Sequence, residues 1–361
     1  MSIFEAGAAL RTWAARQGLA PSTSAAQVAE FGNYGEYVDQ FNMAFSELSA
    51  PTLKAVNMRK VHAVAVNEAT DTIVVYVNKA FSAKQIELIP NLVGGFKVSY
   101  RQGVVGQIGG VPPSGVGSPS HYLHNGRISC GSSIGMGGGF AAGTLGALVR
   151  VNDDLYGLSN NHVIGRCSYA EGGHPILAPG NIDINPNFLM HPFSIGVYEM
   201  SAPFVTGSPA TVNVNGNLDA SLMRIVDEAK VSAMQGNSFV TPSQVADLRD
   251  GMHVKKVGRT TGQTTGVVAG KVAGYQAVGY TVPEIQLQFH AFFNEAWIIE
   301  GTYGSFSEPG DSGALVVGKL ENGEEAAVGL VFAGGQNISF IVPLGLILNY
   351  FGATLEANHG V

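Results

Sequence analysis

Ser312 stands in the run SEPGDSGA (307–314), a hydroxyl held between glycines and next to an acid. Gly310 lets the backbone turn so that its own N–H and that of Ser312 can point at one oxygen, and Gly313 leaves room beside the hydroxyl. A serine in that setting can act as an acyl-transfer nucleophile if three things accompany it. These are a base for its proton, a carboxylate to hold the base's tautomer, and amide donors for the oxyanion. His162 ends the strand-like run LYGLSNNHVIG and so can face a cleft. Asp219 lies just before an apolar strand in VNGNLDASLMRI, where a carboxylate would be shielded and able to accept from an imidazole N–H.

Positioning these residues calls for strands. Hydrophobic residues make up 45% and charged residues 13% of 361, with 48 glycines, a balance that suits short, tightly turned strands. The length is about twice a usual domain, which implies two domains or one large all-β domain with an extension. Strand-like runs recur from GTLGALVRV (143–151) to ISFIVPL (338–344), separated by Gly, Asn and Asp turns. In TPSQVADLRDG (241–251), Thr241, Pro242, Gln244 and Gly251 match helix cap positions, so a one-helix connector is expected between two strand sets. The tail PLGLILNYFG is expected to be a closing helix lying on the second set.

The first third reads differently. Residues 3–17 and 35–49 place apolar side chains near one face of a helix. Residues 51–110 give a strand, a turn at Asn67–Asp71, a strand, a short helix and a third strand, a small α/β module behind a helical extension over 1–50. Residues 111–126 are dense in Gly, Pro and Ser and read as a strap. The strand-rich domain then covers 127–361, with barrels at about 127–235 and 251–345.

Taken in order, LSNNHV, LDASL and PGDSGA resemble the trypsin-like, chymotrypsin-clan serine proteases. KVGRTTGQTTGVV is similar to the K/R-x-G-x-T-T-G hairpin of that clan's bacterial branch, and the likeness extends to a non-secreted branch related to Narrow Leaf 1-type peptidases. The resemblance implies a mainly β fold of two six-stranded antiparallel β-barrels and a serine endopeptidase with the triad His162, Asp219 and Ser312. It places the oxyanion hole at the N–H groups of Gly310 and Ser312. It also implies a specificity pocket backed by Phe306 and Ser307 and edged by Phe332, Ala333 and Gly334, with Phe306 making it shallow and apolar. Asp311, forced inward, would need a cation; the hairpin maps this onto Lys256, with Lys255 and Arg259 as possible substitutes. Asp183 is the second candidate for the orienting carboxylate. Asn160 and Asn161 stand where the animal enzymes carry small residues, and Val163 where they carry a disulfide cysteine; neither departure is expected to touch the chemistry.

Other chemistries fit less well. An α/β-hydrolase needs an Asp and a His after its serine, but Ala314 breaks its motif and no Asp follows Ser312. HExxH is absent, His121 and His124 have no further local ligands, and the glycines from 137 precede a strand rather than a helix, so no metal and no cofactor are expected. A net charge of -7 without Lys/Arg runs argues against nucleic acid. No run of 18 apolar residues suggests a membrane span. Glu5, Arg11 and Arg16 interrupt any leader-like stretch, and two cysteines suit reduced thiols, so a cytoplasmic protein is expected. The expected partner is a protein or peptide substrate, with a regulatory partner for residues 1–115 as an added expectation. Two alternatives stand beside this reading: a restricted self- or partner-processing protease, and an inactive barrel serving as a binding scaffold.

Overall fold

The computed structural model describes residues 2–19, 45–46, 48–106, 121–184, 193–207 and 212–361. Most of the helix expected over 35–49, and residues 111–120 of the strap, lie outside them.

Six antiparallel strands close a barrel in the order His253–Gly258, Leu315–Lys319, Glu325–Gly334, Ile338–Pro343, Trp297–Gly301, Gly262–Val272. The last pairs back with the first, from His253↔Val267 to the turn at Gly258↔Gly262. Val254, Val268, Ile299, Val316, Val331 and Ile341 fill its interior, the alternate positions that a pleated strand turns to one side.

Ahead of it, Ala147–Val151, Asp154–Ser159, Ser221–Ile225, Phe193–Ser201, Pro175–Ala178 and Ser133–Met136 pair in that order around Ile134, Leu148, Leu155, Ile176 and Met223. Among the described residues, this sheet does not close strand to strand. Its seam is bridged by bonds from Gly131 N–H to the Leu145 carbonyl (2.6 Å) and from Leu145 N–H to the Ser132 carbonyl (2.9 Å). The expected mainly β double barrel is therefore present, with the second barrel closed and the first open at one seam.

The expected helix over 241–251 does not form. Ala246 N–H donates to the Ala327 carbonyl and Ala327 N–H to the Gln244 carbonyl. Pairing with the strand Glu325–Gly334 satisfies this backbone as extended chain, a tertiary gain that outweighs local capping signals. The closing helix Leu344–Phe351 buries Leu344, Ile347, Leu348 and Phe351 in the central core. The strand Ala353–Glu356 then joins Ala147–Val151, so the tail ties both barrels together.

In the N-terminal third, Val61–Asn67 adds to the closed barrel's strand Gly262–Val272 through Ala65↔Val272 and Val66↔Lys271. Thr72–Val77 and Phe96–Gln102 extend the sheet outward. Alternation divides the two innermost strands: Ala63, Ala65, Val74 and Tyr76 join the central core, while Val64, Val66, Ile73 and Val75 meet the helix Ile3–Arg16. That helix starts in a Ser2–Glu5 capping box, and a Cβ at its Gly7 would lie 2.8 Å from Val66, which shows how closely it packs.

Candidate active site

The strand Asp154–Ser159 leads straight into the helical turn Asn161–Ile164, which carries His162 at the barrel's edge. Asp219 lies just before the strand Ser221–Ile225, which pairs with Asp154–Ser159 through Ser159↔Ser221. This pairing brings residues 57 positions apart into contact. Asp219 Oδ2 is 2.6 Å from His162 Nδ1, and Asp219 Oδ1 accepts the His162 backbone N–H at 3.0 Å. Asp219 is fully buried and the His162 side chain is 9% exposed. With Nδ1 bound to the carboxylate, Nε2 is the ring nitrogen free to act as a base.

Ser312 arrives from the second barrel. Its carbonyl accepts Thr144 N–H at 2.8 Å, and a Cβ at Gly143 would touch both that carbonyl (2.8 Å) and Val163 (2.5 Å), the neighbour of His162. The segments carrying His162 and Ser312 thus meet across Gly143. In its loop, Asp311 N–H donates to the Glu308 carbonyl and Gly313 N–H to the Val331 carbonyl. The Gly310 and Ser312 carbonyls are held by the side chain and backbone of Thr144. Among the described residues, the N–H groups of Gly310 and Ser312 donate to no protein acceptor, so both stay available to an oxygen beside the serine. Gly310 has φ 103° and Gly313 φ 95°, conformations that a side chain would strain.

Asp311 anchors this loop. Its Oδ1 accepts Thr260 N–H (2.8 Å) and Thr261 N–H (3.1 Å), and its Oδ2 accepts Thr261 Oγ1–H (2.7 Å), Glu308 N–H (3.0 Å) and Lys256 Nζ–H (3.1 Å). Both side chains of the Lys256–Asp311 pair are fully buried. Burial lowers the Lys256 pKa from its usual value, and the Asp311 charge opposes that shift. The two neighbours named as substitutes are engaged elsewhere. Lys255 pairs with Glu325 at 2.6 Å, and Arg259 forms a two-pronged, nearly buried pair with Asp183. Asp183, the second candidate for the orienting carboxylate, therefore pairs with Arg259.

Phe306 is 1% exposed inside the closed barrel, and Phe332 is fully buried in the central core against Phe293 and Phe340. Neither ring stands free as the floor of an open pocket, because each fills an interior that the strand pleat turns it into. The Phe306 ring, expected to back a shallow apolar pocket, is thus buried in the barrel interior. Ser307 lies beside Gly334, whose Cβ would be 3.1 Å from Ser307 Oγ, and that hydroxyl bonds Ser339 at 2.6 Å.

Several residues here carried no distinguishing signal in the sequence. Asn160 donates its amide to the Asp219 carbonyl, and Asn161 exchanges bonds with Ser168, so the two asparagines brace the segments on either side of His162. Tyr280 OH donates to Asp219 Oδ2 at 3.0 Å. Val163 is buried against Gly143, and Cys130 and Cys167 are both free and buried. Burial raises the pKa of both thiols, that of Cys130 to about 12.

No family model matches the chain, and no curated protein matches it. Solved structures do. Thermobifida fusca Protease A is similar over 64% of this chain and 100% of its own, at 19% identity and a TM-score of 0.42. Nocardiopsis protease is similar over 64% and 100%, at 19% identity and a TM-score of 0.41. Cellulomonas bogoriensis chymotrypsin is similar over 63% and 98%, at 18% identity and a TM-score of 0.39. These structural neighbours are chymotrypsin-like serine proteases.

Proposed function

We propose that the chain is a serine endopeptidase working through an acyl-enzyme, with Ser312 as nucleophile, His162 as general base and Asp219 as orienting carboxylate. Ser312 Oγ attacks the peptide carbonyl carbon while its proton passes to His162 Nε2. The carbonyl oxygen takes the negative charge between the Gly310 and Ser312 N–H groups. Collapse breaks the C–N bond, and His162 gives its proton to the leaving amine. Water then repeats the sequence on the ester. Asp219 holds the Nδ1–H tautomer.

One observation carries this reading: residues 162, 219 and 312 converge, Asp219 bonding His162 at 2.6 Å while Gly143 bridges Val163 to the Ser312 carbonyl. A fluorophosphonate probe should label the protein at Ser312, and labelling should vanish in Ser312→Ala and His162→Ala. An unlabelled wild-type chain would favour the binding scaffold instead.

A second reading, restricted processing under control of the N-terminal third, is supported by one further contact. Gly106 N–H donates to the Gly334 carbonyl and Val104 N–H to the Gln336 carbonyl, both at 3.0 Å. The segment leaving the N-terminal sheet thus lies along the strand end that carries the candidate pocket edge.

A further inference from the structure

The hairpin Gln276–Val282 and Leu287–Phe293 stands outside both barrels as a two-stranded sheet of its own. It reaches the first barrel, where Ala291 bridges Thr206 and Tyr280 points at Asp219. Tyr280 is 1% exposed and gripped by aromatic rings. Phe289, its cross-strand partner, stacks on it at 5.7 Å; Phe204 meets it edge-on at 5.1 Å; and its centroid is 5.7 Å from that of His162. The ring can hardly rotate away, so its hydroxyl is aimed.

We propose that Tyr280 is a positioning residue for the reaction, its hydroxyl fixing Asp219 Oδ2 so that the same oxygen holds the His162 Nδ1–H in line. The proposal rests on the protease reading above. Oδ2 is then shared between two donors, Tyr280 OH at 3.0 Å and His162 Nδ1 at 2.6 Å, while Oδ1 takes the His162 backbone N–H. The titratable groups facing Asp219 are His162, Tyr280 and the buried Cys167 thiol, with Glu284 beyond the thiol. Burial and the Asp219 charge push the Tyr280 hydroxyl well above its usual pKa, so it remains a donor throughout the working range. Its donation spreads the carboxylate charge and tempers the pull on the imidazole.

The test uses the full chain, first confirmed competent by fluorophosphonate labelling at Ser312, with p-nitrophenyl acetate as substrate. Tyr280→Phe should lower kcat by about tenfold to a hundredfold, the worth of a hydrogen bond to a charged group, with KM little changed. The acid limb of kcat/KM should move to higher pH, because Oδ2, no longer shared with the Tyr280 hydroxyl, turns its charge wholly on the imidazole N–H. Replacing Tyr280 by 3-fluorotyrosine, a stronger donor of nearly the same shape, should move the limb the other way, and it decides the matter alone if Tyr280→Phe does not fold. A labelled enzyme whose limb does not move in either Tyr280 variant, or whose rate falls uniformly across pH, would overturn the positioning role and leave the protease reading intact. A wild-type chain that takes no label would overturn both.

Discussion

At the scale of single residues, the proposed triad predicts an all-or-none pattern. Ser312→Ala or His162→Ala should each cost about six orders of magnitude in kcat, because the groups act as a unit. Asp219→Asn should cost roughly four orders by favouring the wrong tautomer. Assays of the three purified variants check this, and near-normal activity in Asp219→Asn would remove Asp219 from the triad. Lys256 supports a separate prediction. Asp311 keeps four other donors when Lys256 is lost, so Lys256→Met should fold, yet the buried carboxylate loses its cation and the oxyanion loop its hold. Activity should fall by at least about a hundredfold. pH should act the same way. Burial puts the Lys256 pKa below the 10.5 of a free lysine, so the folded protein releases this proton before the unfolded chain does. In that window the unfolded state binds more protons, so this group's contribution to stability rises with pH and is fully present above the unfolded value. Activity should do the opposite, declining on an alkaline limb that begins below pH 10.5, because the neutral amine no longer offsets Asp311. A rate profile flat beyond that pH would contradict the assignment.

At the scale of elements, the turn Gly258–Gly262 shows what a sequence reveals and what it hides. The two glycines of the hairpin motif are legible as close-approach positions, and a Cβ at Gly258 would lie 2.4 Å from Asp311 Oδ1. Gly258→Ala should therefore displace Asp311 and lower kcat by about ten- to a hundredfold with modest loss of Tm, measured by steady-state kinetics and thermal melting. Unchanged kinetics would mean that the loop tolerates the shift. His162, Asp219 and Ser312 stand out in the sequence for the same kind of reason, each in a short run of residue types suited to the proposed chemistry, and the contact between His162 and Asp219 is present. The hydrogen bond from Tyr280 to Asp219 was not legible, since it depends on a hairpin folding across from the other barrel, a contact with no local signature. The pair Arg259–Asp183 was hidden likewise, 76 residues apart and joined only by the docking of the barrels. The helix expected over 241–251 failed from the opposite side: its caps were local and real, but the strand Glu325–Gly334 offered its backbone better partners. Which way Phe306 points is set by the register of the closed barrel, which no local run of residues reveals.

At the scale of the molecule, the N-terminal third cannot be treated as a detachable appendage. Ala63, Ala65, Val74 and Tyr76 share the central core with Val272, Ile338 and Phe340. Each large apolar side chain in such a core is worth about 1.5–3 kcal/mol, against a total stability of about 5–15 kcal/mol for a domain. A chain beginning at Gly126 would strip one wall from that core and leave the edge of Gly262–Val272 unpaired at Val272. It should aggregate or melt far below the full chain, as size-exclusion chromatography and thermal melting would show, and a stable monomer would refute the shared core. Control by residues 1–115 is therefore better tested in the intact chain, at the point where the leaving segment meets the second barrel. A Cβ at Gly335 would lie 1.9 Å from the Val104 carbonyl oxygen, too close to coexist with the segment Val104–Gly106 in its place. Gly335→Ala should lift that segment off the strand end while sparing the core, because Gly335 lies past the end of the strand Glu325–Gly334. If the segment limits access to an extended peptide, cleavage of a peptide mixture should rise several-fold in the variant. Turnover of p-nitrophenyl acetate, which reaches only the serine, should stay the same. Equal peptide cleavage in variant and wild type would leave Val104–Gly106 a structural clasp and remove the case for restricted processing.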